Sequence, residues 1–273
     1  MHPMLNVATR TARQAGDIIR RYRDKVENLH IHRKAENDFV TEVDRQAEQV
    51  IITALRKAYP DHAILGEESG QHGDTQAEYQ WVIDPLDGTT NFLHGIPQFA
   101  VSIALKQRGR LLLGAIYDPV KDEMFAAARG DGATLNNRKI RVTDRTSLHN
   151  ALLCTGIAFR QDQSLTLSLD SLRVLLPGTA GVRRPGAAAL DLAYVAAGRF
   201  DGFWEFGLRE WDLAAGVLIV QEAGGLIGDV QGGNTHLQSG DVLAANPRLF
   251  REMVQRLHPL FNKPQNKAQE TGA

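Results

Sequence analysis

The strongest chemical signal in the chain is the segment Trp81-Val82-Ile83-Asp84-Pro85-Leu86-Asp87-Gly88-Thr89-Thr90-Asn91-Phe92. An apolar strand delivers Asp84, and Pro85 then interrupts ordinary strand pairing. In a straight strand Asp84 and Asp87 would face opposite ways, because side chains alternate with a period of two. A turn through Pro85-Leu86 brings both carboxylates to one point. Gly88 permits close backbone approach, and Thr89-Thr90-Asn91 suits the start of a helical turn, where backbone N–H groups bind phosphate. Carboxylates beside anion-binding amides make chemical sense when a cation joins the two.

Other acids are available to this pair. Gly66-Glu67-Glu68-Ser69-Gly70 follows a strand directly, Trp211-Asp212 opens a helix, and Asp44 lies in the first turn of an earlier helix. Three carboxylates converging within about 4–5 Å repel by roughly 3–4 kcal/mol per pair at an effective dielectric of 20, which demands protonation or bound cations. Carboxylates together with substrate phosphate and water favour Mg²⁺. Taken singly, each piece is ordinary: an Asp at a helix start is a cap, and Asp-Gly-Thr is a turn. Their combination and order set the segment apart.

The positioning elements follow from periodicity. Leu5, Ala8, Ala12, Ala15, Ile18, Ile19 and Tyr22 mark an amphipathic helix over residues 3–25. Thr41 caps a second helix whose stripe runs from Val43 to Ala58, stopped by Tyr59-Pro60-Asp61. Short β-rich runs come next: Ala63–Leu65, Trp81–Ile83, Phe99–Leu105 and Leu111–Tyr117, the last two joined by a turn at Arg108-Gly109-Arg110. Met124–Ala128 and Lys139–Val142 extend this antiparallel sheet. Beyond residue 150 strand and helix alternate: strands at Ala151–Thr155, Gly181–Arg184 and Gly202–Glu205, helices at Ser164–Leu176, Ala187–Ala197 and Leu213–Ala223. Asn246-Pro247 opens a last helix to Leu257. The expected division is residues 1–145 (helix pair plus antiparallel sheet), 146–261 (an α/β half) and 262–273 (a disordered tail).

Composition narrows the function. Hydrophobic residues are 43%, charged residues 23%, and the net charge is −1, so no basic excess points to nucleic acid or an anionic membrane as the main partner. The longest apolar runs, such as Leu111–Tyr117, fall far short of a membrane span, and the N-terminus has no signal-peptide pattern; a soluble cytoplasmic protein is expected. A single cysteine, Cys154, excludes an internal disulfide and a Cys-based zinc site, and reads as strand core rather than nucleophile. His30-Ile31-His32 lacks the spacing of a helical metal pair, and surface or structural roles are expected for the histidines. Trp81 and Trp211 flank the acids and should pack behind them.

The three motifs Gly66-Glu67-Glu68-Ser69, Trp81–Phe92 and Trp211-Asp212-Leu213-Ala214-Ala215-Gly216 together resemble the inositol monophosphatase family, and the stretch Arg183–Arg199 looks like its bacterial SuhB branch. The resemblance runs from the first helix to about residue 258. It implies an α/β (α+β) fold layered as an αβαβα sandwich, and a Mg²⁺-dependent, lithium-sensitive phosphatase acting on myo-inositol 1-phosphate. Carried over by motif, Glu67, Asp84 and the Leu86 carbonyl resemble the ligands of one metal, and Asp84, Asp87 and Asp212 those of a second. Thr89, supported by Asp44, would position the attacking water with Glu67 also in the catalytic set, while the Gly88 and Thr89 N–H groups hold phosphate. Gly186, Ala187, Ala188 and Glu205 match positions facing the polyol, beside Asp87 and Asp212. Arg33 falls where some relatives carry lysine and is assigned no role. A homodimer with Arg183-Arg184 near its interface is implied. Nucleotide 3′-phosphate, fructose bisphosphate and histidinol phosphate are the rival substrates, and Glu205, seven residues before Asp212, favours the polyol. The SuhB branch also implies a non-enzymatic role in ribosomal RNA transcription, with RNA polymerase or antitermination factors as partners.

Overall fold

A computed structural model describes residues 2–23, 31–35, 38–157 and 165–261. The end of the expected first helix at 24–25, His30, Ser164 and the expected tail from Asn262 lie outside the described residues. The chain begins with helix α1 (Pro3–Arg23), strands β1 (Ile31–Ala35) and β2 (Asp38–Thr41), and helix α2 (Glu42–Ala58). It continues through β3 (Ala63–Gly66), β4 (Gly70–His72), β5 (Tyr79–Asp87) and the short α3 (Thr89–Leu93). Five strands follow: β6 (Ala100–Gln107), β7 (Arg110–Asp118), β8 (Glu123–Ala128), β9 (Gly132–Leu135) and β10 (Arg138–Lys139). The remainder is β11 (Leu152–Thr155), α4 (Leu165–Leu175), β12 (Gly181–Arg183), α5 (Ala188–Ala196), β13 (Gly202–Glu205), α6 (Glu210–Glu222), β14 (Leu226–Gly228), α7 (His236–Ser239), β15 (Val242–Ala245) and α8 (Pro247–Phe261).

Alternating side chains sort these elements into layers. On the central strands Trp81, Ile83, Val101, Ile103, Leu105, Leu113, Ala115 and Tyr117 face one way and pack against Leu5, Ala12, Ile19, Ala47, Ile51 and Leu55 of the helix pair. Their neighbours Val82, Ala104, Ile116 and Phe125 face the other way, into a core shared with α5 and α6. The second sheet repeats the pattern. Phe203, Val242 and Ala244 turn to α5 and α6, whereas Trp204, Leu243 and Ala245 turn to the outer helices α4 and α8. The order is therefore helix pair, sheet, helix pair, sheet, helix pair, an αβαβα sandwich. The first sheet has eight strands, ordered β10-β9-β8-β7-β6-β5-β3-β4, and the second five, ordered β12-β11-β13-β15-β14.

Because α5 and α6 lie between two sheets, they have no polar face to spare: every residue of α5 is buried, as is Leu213–Val220 of α6. A side chain at Gly114 of β7 would come within 2.7 Å of the Ala215 carbonyl oxygen, and one at Gly216 within 2.5 Å of Leu192. Backbone thus meets backbone where α6 crosses the first sheet.

Several details differ from the sequence expectation. The sheet is mixed, since β3 pairs with β5 in parallel. The strand expected at Lys139–Val142 is confined to Arg138–Lys139, because Val142 leaves the sheet and donates its N–H to the Ala223 carbonyl at the end of α6. The short strands β1, β2, β4, β9, β14 and β15 were not expected. Cys154 is core, as expected, and burial pushes its thiol pKa up. Trp81 is fully buried and donates its indole N–H to His62 Nδ1 at 3.1 Å.

His62 is stacked between Tyr59 and Tyr79, with ring centroids 4.8 and 4.6 Å away. Its Nδ1 serves as an acceptor, so the ring is neutral, and burial lowers its pKa from 6.5 against the opposing pull of Asp61. The unfolded chain takes up this proton first. The stabilisation is therefore complete above about pH 6.5 and is lost as pH falls through the folded value. A series of melting temperatures from pH 7.5 to 5 should show a decline that is shallower in His62→Gln; equal slopes would remove His62 from the account.

Candidate metal centre

The acids meet because of one irregularity in β5. Asp84 pairs with Ser102 of β6 and Asp87 with Ala100, so three steps along β5 oppose two along β6. This bulge adds a residue and turns both carboxylates to the same side of the sheet. The expected turn through Pro85-Leu86 is thus absorbed within the strand, and the missing Pro85 N–H coincides with the break in the ladder. Asp84 Oδ1 accepts the Leu86 N–H at 2.9 Å, which holds the bulge in shape.

Asp212 comes from the other half. It sits in the first turn of α6 and accepts the Arg209 N–H on Oδ2 at 2.7 Å. Two contacts tie that helix start to β6: Ser102 Oγ donates to the Trp211 carbonyl, and Lys106 pairs with Glu210 at 2.7 Å. Ser102 is the partner of Asp84, so the same rung of the ladder locates both acids. One carboxylate oxygen from each of Asp84, Asp87 and Asp212 lies within 4.8 Å of the others.

Burial makes this convergence costly. Asp84 is 1% exposed, and its pKa stands well above the carboxylate range, first through burial, then through the charges of Glu67, Asp87 and Asp212 and a hydrogen bond with Glu67. Asp87 is pushed up to about 8, by burial and then by Asp212, against N–H groups of Ala189, Ala188 and Leu190 that favour its charged form. An all-oxygen set of acids that resists ionisation when alone fits a hard divalent cation, whose charge reverses that logic.

Glu67 follows β3, and its N–H donates to the Ile83 carbonyl at 3.2 Å. It stands beside Asp84 without belonging to the three-acid group. Its segment is braced by Glu48, which accepts the Glu68 N–H at 3.0 Å. Asp44 and Glu48, one helical turn apart on the buried face of α2, contact Thr89 and the Glu67-Glu68 segment respectively. Only Asp44 was expected; the signal for Glu48 was an acid at i+4 beside the apolar stripe. The Thr89 hydroxyl lies 3.1 Å from Asp44 Oδ1 and 3.0 Å from the Leu86 carbonyl oxygen.

Gly88 has φ +91, and a Cβ there would come within 2.9 Å of the Gln98 carbonyl oxygen and 3.2 Å of the Ala187 Cβ. That contact brings Gly186, Ala187 and Ala188 against the phosphate-binding candidates. Asp87 makes the junction explicit: its Oδ2 accepts the Ala189 N–H at 2.8 Å. The N-cap of α5 is Ala187, whose methyl group cannot accept a hydrogen bond, so an aspartate 102 residues before Ala189 accepts that residue's N–H instead. Glu205 ends β13, packs over Gly156 and faces the buried Asp191, whose pKa is raised well above the usual range by burial, then by Glu205 and Asp87. Glu205 is outside the three-acid group. The placements of Asp191 and Asn91 depend on contacts that are not local in sequence, so the motifs alone assign them no role.

Comparison with known proteins extends these observations. A profile of the inositol monophosphatase family matches residues 1–269. Over 263 residues the chain is 54% identical to the Nus factor SuhB of Pseudomonas aeruginosa, covering 95% of this chain and 97% of that one. The fold matches the extragenic suppressor protein suhB of Bartonella henselae with a TM-score of 0.91 at 43% identity, covering 94% and 98% of the two chains. It matches the inositol monophosphatase of Anabaena with a TM-score of 0.85 at 40% identity, covering 94% and 95%. With sequence and layer order agreeing over nearly its whole length, the chain belongs to the inositol monophosphatase family.

Proposed function

We propose that this protein is a Mg²⁺-dependent phosphomonoesterase that hydrolyses myo-inositol 1-phosphate to inositol and inorganic phosphate. The observation that carries the reading is the convergence of Asp84, Asp87 and Asp212 within 4.8 Å, two of them with raised pKa values. Glu67, Asp84 and the Leu86 carbonyl would hold one cation, and Asp84, Asp87 and Asp212 a second. Bound Mg²⁺ supplies a water of lowered pKa and charge neutralisation at the phosphoryl and leaving oxygens.

The chain's own groups do the positioning. The Thr89 hydroxyl hydrogen is directed at Asp44 and the Leu86 carbonyl, which leaves its lone pairs to accept a hydrogen from the attacking water and orient it. N–H groups of Gly88 and Thr89 receive the phosphate. Gly186, Ala187 and Ala188 line the polyol end, where Glu205 accepts hydroxyl hydrogens. In the reaction a water oxygen bonds to phosphorus as the phosphorus–inositol oxygen bond breaks, and of the water's two hydrogens one ends on the leaving inositol oxygen and the other remains with the inorganic phosphate. A homodimer in the cytoplasm is part of this reading; among the described residues no helix is long and apolar enough to cross a membrane.

A second reading is favoured by the relatives' names. Proteins 46–54% identical to this chain are called Nus factor SuhB, which supports a role beside transcription antitermination factors and RNA polymerase. The two readings coexist, since the acids lie inside and a protein partner meets the outside.

Four outcomes are expected. EDTA-treated protein releases no phosphate from inositol 1-phosphate until Mg²⁺ is added, and Asp87→Asn lowers kcat by at least about 10²-fold with unchanged circular dichroism. Turnover in metal-free buffer would refute the metal role. Thr89→Ala lowers kcat by about 10²-fold with little change in KM, because the hydroxyl acts on the water and not on the sugar; a loss confined to KM would place Thr89 in binding alone. Millimolar LiCl inhibits relative to KCl of equal ionic strength, as the family resemblance implies; identical rates in the two salts would show a divergent site.

A further inference from the structure

Asn91, on α3, is buried at 7% exposure, and its amide nitrogen reaches three carbonyl oxygens: Gln98 at 2.8 Å, Pro185 at 2.9 Å and Gly186 at 3.2 Å. An amide NH₂ has two hydrogens, so one is shared or alternates between acceptors. The partners belong to two distant parts of the chain. Gln98 leads from α3 into β6, on the side that carries Gly88 and Thr89. Pro185 and Gly186 lead into α5, 94 residues later, on the side assigned to the polyol.

The surroundings leave little freedom. Gly186 has φ +87, and a Cβ there would lie 2.8 Å from a guanidinium nitrogen of Arg184 and 3.2 Å from the Asn91 amide nitrogen. Gly88, across the same gap, would touch the Gly186 carbonyl oxygen at 3.3 Å with any side chain. The two strips of backbone are therefore in near contact, with no side chain on either Gly88 or Gly186 to hold them apart. The Asn91 amide is what fastens one to the other, while Asp87 fastens the first turn of α5 a few residues further on.

We propose that Asn91 is a positioning residue that sets the register between the phosphate-holding backbone at Gly88-Thr89 and the polyol-facing backbone at Gly186-Ala187-Ala188, and thereby fixes specificity for a phosphorylated polyol over simpler phosphate esters. This rests on the phosphatase reading above. A substrate with both a phosphate and a polyol spans the two strips and senses their spacing. An aryl phosphate engages the phosphate end alone. Loss of the Asn91 donor then weakens the first substrate selectively, since a displacement of the order of 1 Å suffices to cost orientation.

The test compares kcat/KM for inositol 1-phosphate and p-nitrophenyl phosphate in Mg²⁺, using the full chain with Asn91, Asn91→Ser and Asn91→Ala. The ratio of the two values should fall by about ten-fold or more in Asn91→Ala, mainly through KM for the polyol substrate. Asn91→Ser, which keeps one hydroxyl donor, should fall between, and the inhibition constant of inorganic phosphate should not move. If Asn91→Ala does not fold, Asn91→Ser carries the comparison. Equal losses on both substrates, or a phosphate constant that shifts with them, would reduce Asn91 to general stability and overturn the proposal. Wild-type protein that cleaves neither ester removes the phosphatase reading and this proposal together, whereas an active wild type with an unchanged ratio in the variants removes the Asn91 role alone.

Discussion

Mutual repulsion among Asp84, Asp87 and Asp212 is the constraint around which the rest is built. At 4.8 Å two full charges repel by about 3.5 kcal/mol at an effective dielectric of 20, and burial adds to that. A chain left to itself would separate them or protonate them. Here the fold holds their backbone positions together. The bulge in β5 fixes two acids against one face, and α6, pressed against β7 backbone to backbone at Gly114, fixes the third. The cost falls on a scaffold of five packed layers, whose cores on both sides of the first sheet are apolar and closely filled.

The same contacts make the site a joint between the two sheets. Asp87 is at once a member of the acid group and the cap of α5, and the rung Asp84–Ser102 reaches α6 through the Trp211 carbonyl. A change in the charge on Asp87 therefore acts on the first turn of α5, whose Ala189 N–H it accepts, at the proposed polyol end. Charge and geometry are coupled through the hydrogen bond to Ala189, and no separate relay is needed.

Much of this was legible in the sequence, for identifiable reasons. The motif spacing placed Asp84, Asp87, Gly88 and Thr89 in one segment and put Asp212 at a helix start, and the structure places them there. Strong periodicity located α1, α2 and the central strands within a few residues. What the sequence hid was non-local. The bulge depends on the pairing of β5 with β6, and was read as a turn because Pro85 signals a break without saying how the partner strand accommodates it. Strands β9, β14 and β15 are three or four residues long and carry too few alternations to show a period. Glu48 and Asn91 look like an ordinary helical acid and an ordinary turn amide until Glu68 and Pro185 are folded against them.

The central claim is that the buried acids are in conflict without a cation and in balance with one. Thermal denaturation at pH 7.5, in EDTA and then across a Mg²⁺ titration, for wild type and Asp87→Asn, tests it most directly. The amide keeps an oxygen to accept the Ala189 N–H, so the cap on α5 survives while one charge is removed. The account predicts that Asp87→Asn melts higher than wild type in EDTA, that Mg²⁺ raises the wild-type melting temperature, and that this rise is largely lost in the variant. A variant less stable than wild type in EDTA, together with a wild type indifferent to Mg²⁺, would contradict it.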